Sequence, residues 1–248
     1  MSFEPQATSS GSNRDGRVTR PHIKICGLKT EADIDTVLGR GGAEIGFIHF
    51  APSPRHLELE AMMRLRAHVV GRAAVTVVTV NADDETLTRI ASRLRPDTLQ
   101  LHGSESPARV AEIAALTGLP VMKAISVSTR EDLEAVARFR PVADRILLDA
   151  KRPKGSVLPG GNGVSFDWDL LDALGEDRRF LLSGGINPTN VGEAMRRVRP
   201  QGLDVSSGVE SAPGQKDAGL IHHLFDALDA ASAADAPDAS SSLERRFA

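Results

Sequence analysis

Cys26 is the chain's only cysteine, and it closes the short run His22-Ile23-Lys24-Ile25-Cys26. Free cysteine is often simply buried, so position alone leaves open a reactive thiol or a packed one. Asp149 closes a second run, Arg145-Ile146-Leu147-Leu148-Asp149. An aspartate that ends three apolar residues is seldom there for packing, and it reads as functional. Two further runs end in small residues: Phe180-Leu181-Leu182-Ser183-Gly184-Gly185 and Leu203-Asp204-Val205-Ser206-Ser207-Gly208. Glycine lets backbone N–H groups approach an anion closely, serine adds hydroxyl donors, and the positive end of a following helix favours negative charge. One such end would be a tight turn. Two at successive strands point to a phosphate site.

Asp204 interrupts its apolar run, which is costly unless it is hydrogen-bonded. It is expected to orient the neighbouring loop backbone. Arg55, in Pro52-Ser53-Pro54-Arg55, is either a surface charge or a guanidinium held toward a carboxylate by a loop stiffened with proline. His102 follows Leu99-Gln100-Leu101 and has no role that its neighbours define. With no His or Glu near it at ligand spacing, no metal is expected.

Eight strand candidates position these residues: 22–26, 44–50, 74–80, 98–102, 121–127, 145–149, 180–183 and 203–206. They recur at the length of one βα unit, and most are continuous apolar runs, as strands covered on both faces are. Between them lie helical patterns. Thr30 caps the first, Ile34, Val37 and Leu38 face inward, and Gly41-Gly42 stops it. Asn187 is expected to cap a later helix, with Pro188 in its first position and Val191, Ala194, Met195 and Val198 buried. Leu220, Ile221, Leu224, Phe225 and Leu228 give the last helix its apolar stripe. Arg-Pro recurs at 95–96, 140–141 and 199–200. Each proline should end a helix and force the residue before it into extended geometry.

The pattern predicts an α/β fold, a single (βα)8 TIM barrel over residues 21–230, with a doubly wound open sheet as the alternative. In such barrels chemistry sits where the strands end, and the last two loops commonly bind phosphate. Residues 1–20 and 231–248 are rich in small and polar residues and read as disordered tails. A transit peptide fits the Ser and Arg content of the first, but Glu4 and Asp15 oppose it. The chain has 248 residues and a net charge of -3. That charge gives no reason to expect nucleic acid as a partner. No apolar stretch approaches the roughly 18 residues of a membrane span. A lone cysteine forms no internal disulfide and favours a reducing, cytoplasmic setting.

The ordered motifs carry a family resemblance. Lys24-Ile25-Cys26-Gly27, Gly46-Phe47-Ile48, Ser53-Pro54-Arg55, Gln100-Leu101-His102-Gly103 and Leu147-Leu148-Asp149 are followed by Gly160-Gly161-Asn162-Gly163 and Phe166-Asp167-Trp168. Leu182-Ser183-Gly184-Gly185, Asn187-Pro188, Asp204 to Glu210 and Pro213-Gly214-Gln215-Lys216-Asp217 complete the series. Together they resemble the phosphoribosylanthranilate isomerases of tryptophan biosynthesis. The resemblance implies an Amadori rearrangement of N-(5-phosphoribosyl)anthranilate to 1-(2-carboxyphenylamino)-1-deoxyribulose 5-phosphate, with no cofactor and no metal. It makes Cys26 the general base, Asp149 the general acid and Arg55 the holder of the anthranilate carboxylate. Ser183, Gly184, Gly185, Ser206, Ser207 and Gly208 would bind phosphate, with Gln100, His102 and Asp204 also among the substrate contacts.

A free thiol is mostly protonated at neutral pH. Lys24 is expected to point away from it, so that the substrate or a loop supplies any activation. Asn162 stands where the family more usually has Ser or Thr, and Pro153 lies in the segment before it. A histidine-pathway isomerase on the same barrel would place paired aspartates at the first and fifth strand ends, but Cys26 occupies the first of these. A non-catalytic phosphate-binding barrel would need none of Cys26, Asp149 and Arg55. The partner is thus a small phosphorylated molecule, and the assembly a monomer or homodimer.

Overall fold

The computed structural model describes residues 21–150 and 167–234. The readings for residues 1–20 and 235–248, and for Pro153 and the Gly160 to Gly163 loop, lie outside the described residues.

Eight parallel strands close in sequence order into one barrel. They are β1 (His22–Cys26), β2 (Glu44–His49), β3 (Ala74–Thr79), β4 (Thr98–Leu101), β5 (Val121–Val127), β6 (Arg145–Ala150), β7 (Leu181–Leu182) and β8 (Gly202–Val205). All the expected strands are present with slightly shifted ends. Helices α1 (Glu31–Gly39), α2 (Leu59–Val69), α3 (Asp84–Arg89), α4 (Pro107–Thr117) and α5 (Glu134–Phe139) follow β1 to β5 in turn. A 3-10 stretch, Trp168–Leu174, follows β6, and α6 (Val191–Val198) follows β7. After β8 the chain makes a small hairpin, β9 (Glu210–Ala212) and β10 (Gln215–Lys216), before α7 (Ala218–Ala234).

Thr30 caps α1 as expected, its Oγ1 accepting from the Asp33 N–H at 3.1 Å. Asn187 does not cap α6. Its carboxamide oxygen instead accepts from the Thr189 N–H at 2.9 Å, closing a local turn, and the helix begins at Val191. Helix α7 continues past the expected boundary at residue 230 to Ala234, because Ala231 extends its buried face. The residues before proline are not extended either. Arg95 and Arg199 are left-handed, with φ of 53° and 51°, and Arg140 is helical. The N–H of Arg95 donates to the Ile90 carbonyl and that of Arg199 to Met195. Satisfying the open carbonyls of a helix end outweighs the extended preference, while proline still stops the helix.

One large apolar core lies between the strands and the helices, built from Ile23, Ile25, Ile45, Phe47, Val75, Val77, Leu99, Ile146, Leu148 and their neighbours. The barrel interior is different. Toward β5, β6 and β7 it holds a small apolar cluster of Met122, Ala124, Leu147 and Leu181. Elsewhere it is charged. Glu44 accepts from His22 at 2.6 Å, from Arg145 at 2.8 Å and from the Thr76 hydroxyl. Burial alone would raise the Glu44 carboxyl, but His22, Lys24, Arg145 and Thr76 outweigh it and hold it down to about 2.

Candidate active site

The open end of the interior is a cavity that opens to solvent. It is lined by Cys26, Arg55, Gln100, His102, Asp149, Ser183, Gly184, Gly185, Asp204, Ser206 and Ser207. Residues scattered over the chain thus meet because each ends a strand or begins the loop after it. Gly208, expected to touch phosphate, does not line the cavity. Its α-carbon packs against the backbone of Ile186 and Asn187, behind the wall.

On one side of the cavity stands Cys26. Gly46 is its partner across the β1–β2 ladder, and a Cβ there would lie 2.9 Å from the sulfur. The missing side chain therefore makes room for the thiol. Lys24 does not point away from Cys26. Residues two apart on a strand share a face, so both side chains enter the interior, where Lys24 is wholly buried. Its ammonium donates to Asp204 Oδ1 at 2.9 Å. Asp204 therefore holds a lysine rather than loop backbone, which satisfies a carboxylate that could not otherwise be buried. Burial pushes the Cys26 thiol up, Lys24 and Lys216 pull it down, and Asp204 adds to the upward push; the net direction is up. Burial opposes the charge on Lys24, but Asp204, Cys26 and Glu44 together raise its hold on the proton.

The β9–β10 hairpin brings two residues whose roles the sequence left undefined. Glu210 accepts from Arg55 Nε at 2.8 Å and from Nη2 at 2.7 Å, a planar fork that fixes the guanidinium. Lys216 donates to Glu210 at 2.7 Å and to the Ser206 carbonyl at 2.9 Å. The Ser206 hydroxyl in turn donates to the Cys26 carbonyl at 3.0 Å. Arg55 and Lys216 outweigh the effect of burial on Glu210 and keep its carboxyl below the ordinary range. Arg55 lies 155 residues from Glu210 and shares no local pattern with it or with Lys216. Only membership of the ordered motif series marked Glu210 and Lys216, whereas Arg55 stood out in its proline-stiffened loop.

Across the cavity, Asp149 is 2% exposed. Its Oδ2 lies 3.1 Å from His102 Nε2, and Gln100 Nε2 lies 3.1 Å from His102 Nδ1. On the rim, Gly184 and Gly185 have φ of 87° and 68°, conformations that L side chains rarely adopt. No hydrogen bond among the described residues uses their N–H groups, so two adjacent donors remain for an anion.

His49, His56 and Glu58 form the one group with metal-ligand spacing among the described residues, and none of them lines the cavity. The Phe50 N–H donates to His56 Nδ1 at 3.1 Å. The proton of that ring therefore sits on Nε2, facing Glu58 at 3.0 Å, where a metal would need a lone pair.

Residues 23–227 match the family model described as N-(5'-phosphoribosyl)anthranilate (PRA) isomerase. The N-(5'-phosphoribosyl)anthranilate isomerase of Brucella canis is 54% identical over 211 residues, covering 85% of this chain and 95% of that protein. The crystal structure of phosphoribosyl anthranilate isomerase from Thermotoga maritima superposes with a TM-score of 0.75 at 33% identity, over 85% of this chain and 99% of that one. A structure of such an isomerase with reduced 1-(o-carboxyphenylamino)-1-deoxyribulose 5-phosphate gives 0.72 at 32% identity, with the same coverage. A thiol, a buried carboxyl group and a forked arginine meet in one barrel mouth, and the match spans nearly all of the barrel: the chain belongs to the phosphoribosylanthranilate isomerase family.

Proposed function

We propose that this cavity isomerises N-(5-phosphoribosyl)anthranilate to the corresponding 1-deoxyribulose phosphate, with Asp149 as general acid and Cys26 as general base. The observation that carries the reading is the convergence of Cys26, Asp149 and Arg55 on one cavity whose rim presents Ser183, Gly184, Gly185, Ser206 and Ser207. Asp149 gives its proton to the ribose ring oxygen as the C1–O bond breaks, and the anilino nitrogen lone pair forms the iminium. Cys26 as thiolate removes the C2 proton, and those electrons neutralise the iminium to an enolamine. Loss of the enol O–H proton and protonation of C1 give the ketone. Protons given and taken balance, so no redox partner is needed.

Glu210 presents Arg55 as a fixed fork for the anthranilate carboxylate. Ile48, Phe50, Val78 and Val80 line the same cavity and would pack the aromatic ring. The glycine and serine rim takes the phosphate, and Gln100 and His102 face the sugar. Asp204 supports Lys24 from below. We assign the protein to the cytoplasm, as a monomer or homodimer. No helix among the described residues is long and apolar enough to cross a membrane. The large apolar side chains exposed there are only Val70 and Leu116, which supports the monomer.

The test is steady-state turnover, read as loss of the substrate's fluorescence. Cys26→Ser and Asp149→Asn should each lower kcat by at least about a hundredfold, the usual worth of a positioned acid or base, in a folded barrel. Near-normal turnover in either variant would take that residue out of the mechanism.

A further inference from the structure

His102 lines the cavity, yet both of its ring nitrogens are already engaged. Gln100 Nε2 approaches Nδ1, and Nε2 approaches Asp149 Oδ2, each at 3.1 Å. An amide nitrogen only donates, so Nδ1 must be the acceptor and the ring proton must sit on Nε2. That proton then points at Asp149. Among the described residues it is the only hydrogen bond that the Asp149 side chain receives.

The ring is also held from behind. The His102 N–H donates to the Thr79 carbonyl at 2.9 Å. The next residue, Gly103, donates to both carboxylate oxygens of Glu105. Its carbonyl accepts from Lys123 at 2.8 Å, and Lys123 pairs with Glu105 at 2.7 Å. A buried ion pair therefore clamps the backbone beside His102. Such support suits a side chain whose placement matters to within a fraction of an ångström.

We propose that His102 is a positioning residue for the isomerisation: its Nε2–H holds Oδ2 of Asp149, so that Oδ1 is the oxygen that bears and delivers the proton. This rests on the reading of Asp149 as the acid. The proton leaves Oδ1 for the ribose ring oxygen, and the carboxylate left behind still accepts from His102, so the ring neither gains nor loses a proton. With both nitrogens occupied, His102 has none to offer the substrate. Gln100 takes that part. Its Oε1 has no hydrogen-bond partner among the described residues, in a residue that lines the cavity, and is the acceptor left for a sugar hydroxyl.

Two measurements on the full chain test this. Nitrogen-15 NMR of labelled histidine, with the His102 signals assigned by their loss in His102→Phe, should show protonated Nε2 and unprotonated Nδ1 at neutral pH. A ring protonated on Nδ1, or on both nitrogens, overturns the chain of donors whatever the reaction is. In turnover, His102→Phe should lower kcat roughly tenfold to a hundredfold, the cost of a misplaced reacting group, with KM little changed. His102→Gln carries an N–H near the place of Nε2 and should recover most of that loss. A deficit that lies in KM, or a glutamine variant as impaired as the phenylalanine one, overturns the proposal. If His102→Phe does not fold, the glutamine variant against wild type decides, with near-normal kcat expected. A wild-type protein that does not turn over phosphoribosylanthranilate would defeat the functional reading itself, while the NMR result would still judge the hydrogen-bond geometry.

Discussion

Cys26 needs help to act as a base, because burial keeps its proton on while Lys24 and Lys216 draw it off. The pull of Lys24 exceeds the opposing push of Asp204. Neutralising the pair together, in Lys24→Met with Asp204→Asn, should therefore raise the thiol further without leaving a buried charge unpaired. The chain has one cysteine and no tyrosine, so thiolate ultraviolet absorbance against pH reads Cys26 alone. A titration that stays in place or moves to lower pH in the double variant would show that Lys24 does not activate the thiol. Cys26 and Asp149 were both legible as strand endings. Lys24 runs against the expectation that it points away, although the period of two along β1 is enough to place it beside Cys26.

The βα loops set the phosphate rim, and β7 shows how. It is only two residues long: the Ser183 N–H still donates to the Leu148 carbonyl of β6 at 2.8 Å, and Gly184 then turns with φ of 87°. A Cβ on Gly184 would lie 2.5 Å from the Ala150 nitrogen, so the loop passes close against the end of β6. Gly184→Ala should destabilise the protein by more than about 1 kcal/mol, since alanine is strained at positive φ. It should also raise KM roughly tenfold, about 1.4 kcal/mol of binding, with a smaller change in kcat. Denaturant unfolding and steady-state kinetics check both, and an unchanged KM would remove this loop from phosphate binding. The glycine pairs were legible because no other residue adopts that backbone cheaply. The β9–β10 hairpin was not, since three and two residues with a bulge make too short a pattern.

Across the whole barrel, the closed end is held by charge where apolar packing might be expected. Glu44 is 0% exposed and gathers His22, Arg145 and Thr76. Its folded carboxyl is depressed from 4.5 to about 2. The stability it contributes is therefore complete above pH 4.5 and is lost as pH falls toward about 2. Glu44→Gln should cost on the order of 3 kcal/mol at neutral pH, the scale for breaking a buried ionic group. The gap from wild type should narrow through that acid window. Urea unfolding at neutral and acid pH measures it, and a gap independent of pH would show that Glu44 does not hold the barrel closed by its charge.

Much of this protein was determined by local sequence. The eight strands, the helix between most of them, the capped start of α1 and the glycine pair after β7 all follow from periodicity and from backbone conformations that few residues tolerate. Tertiary structure alone decided who meets whom inside the barrel. Closing the ladder sets β8 beside β1, so Lys24 faces Asp204 across 180 residues and Arg55 meets Glu210 across 155. Such pairs leave no periodic trace, because each is formed by a single side chain whose partner is supplied only when the sheet closes.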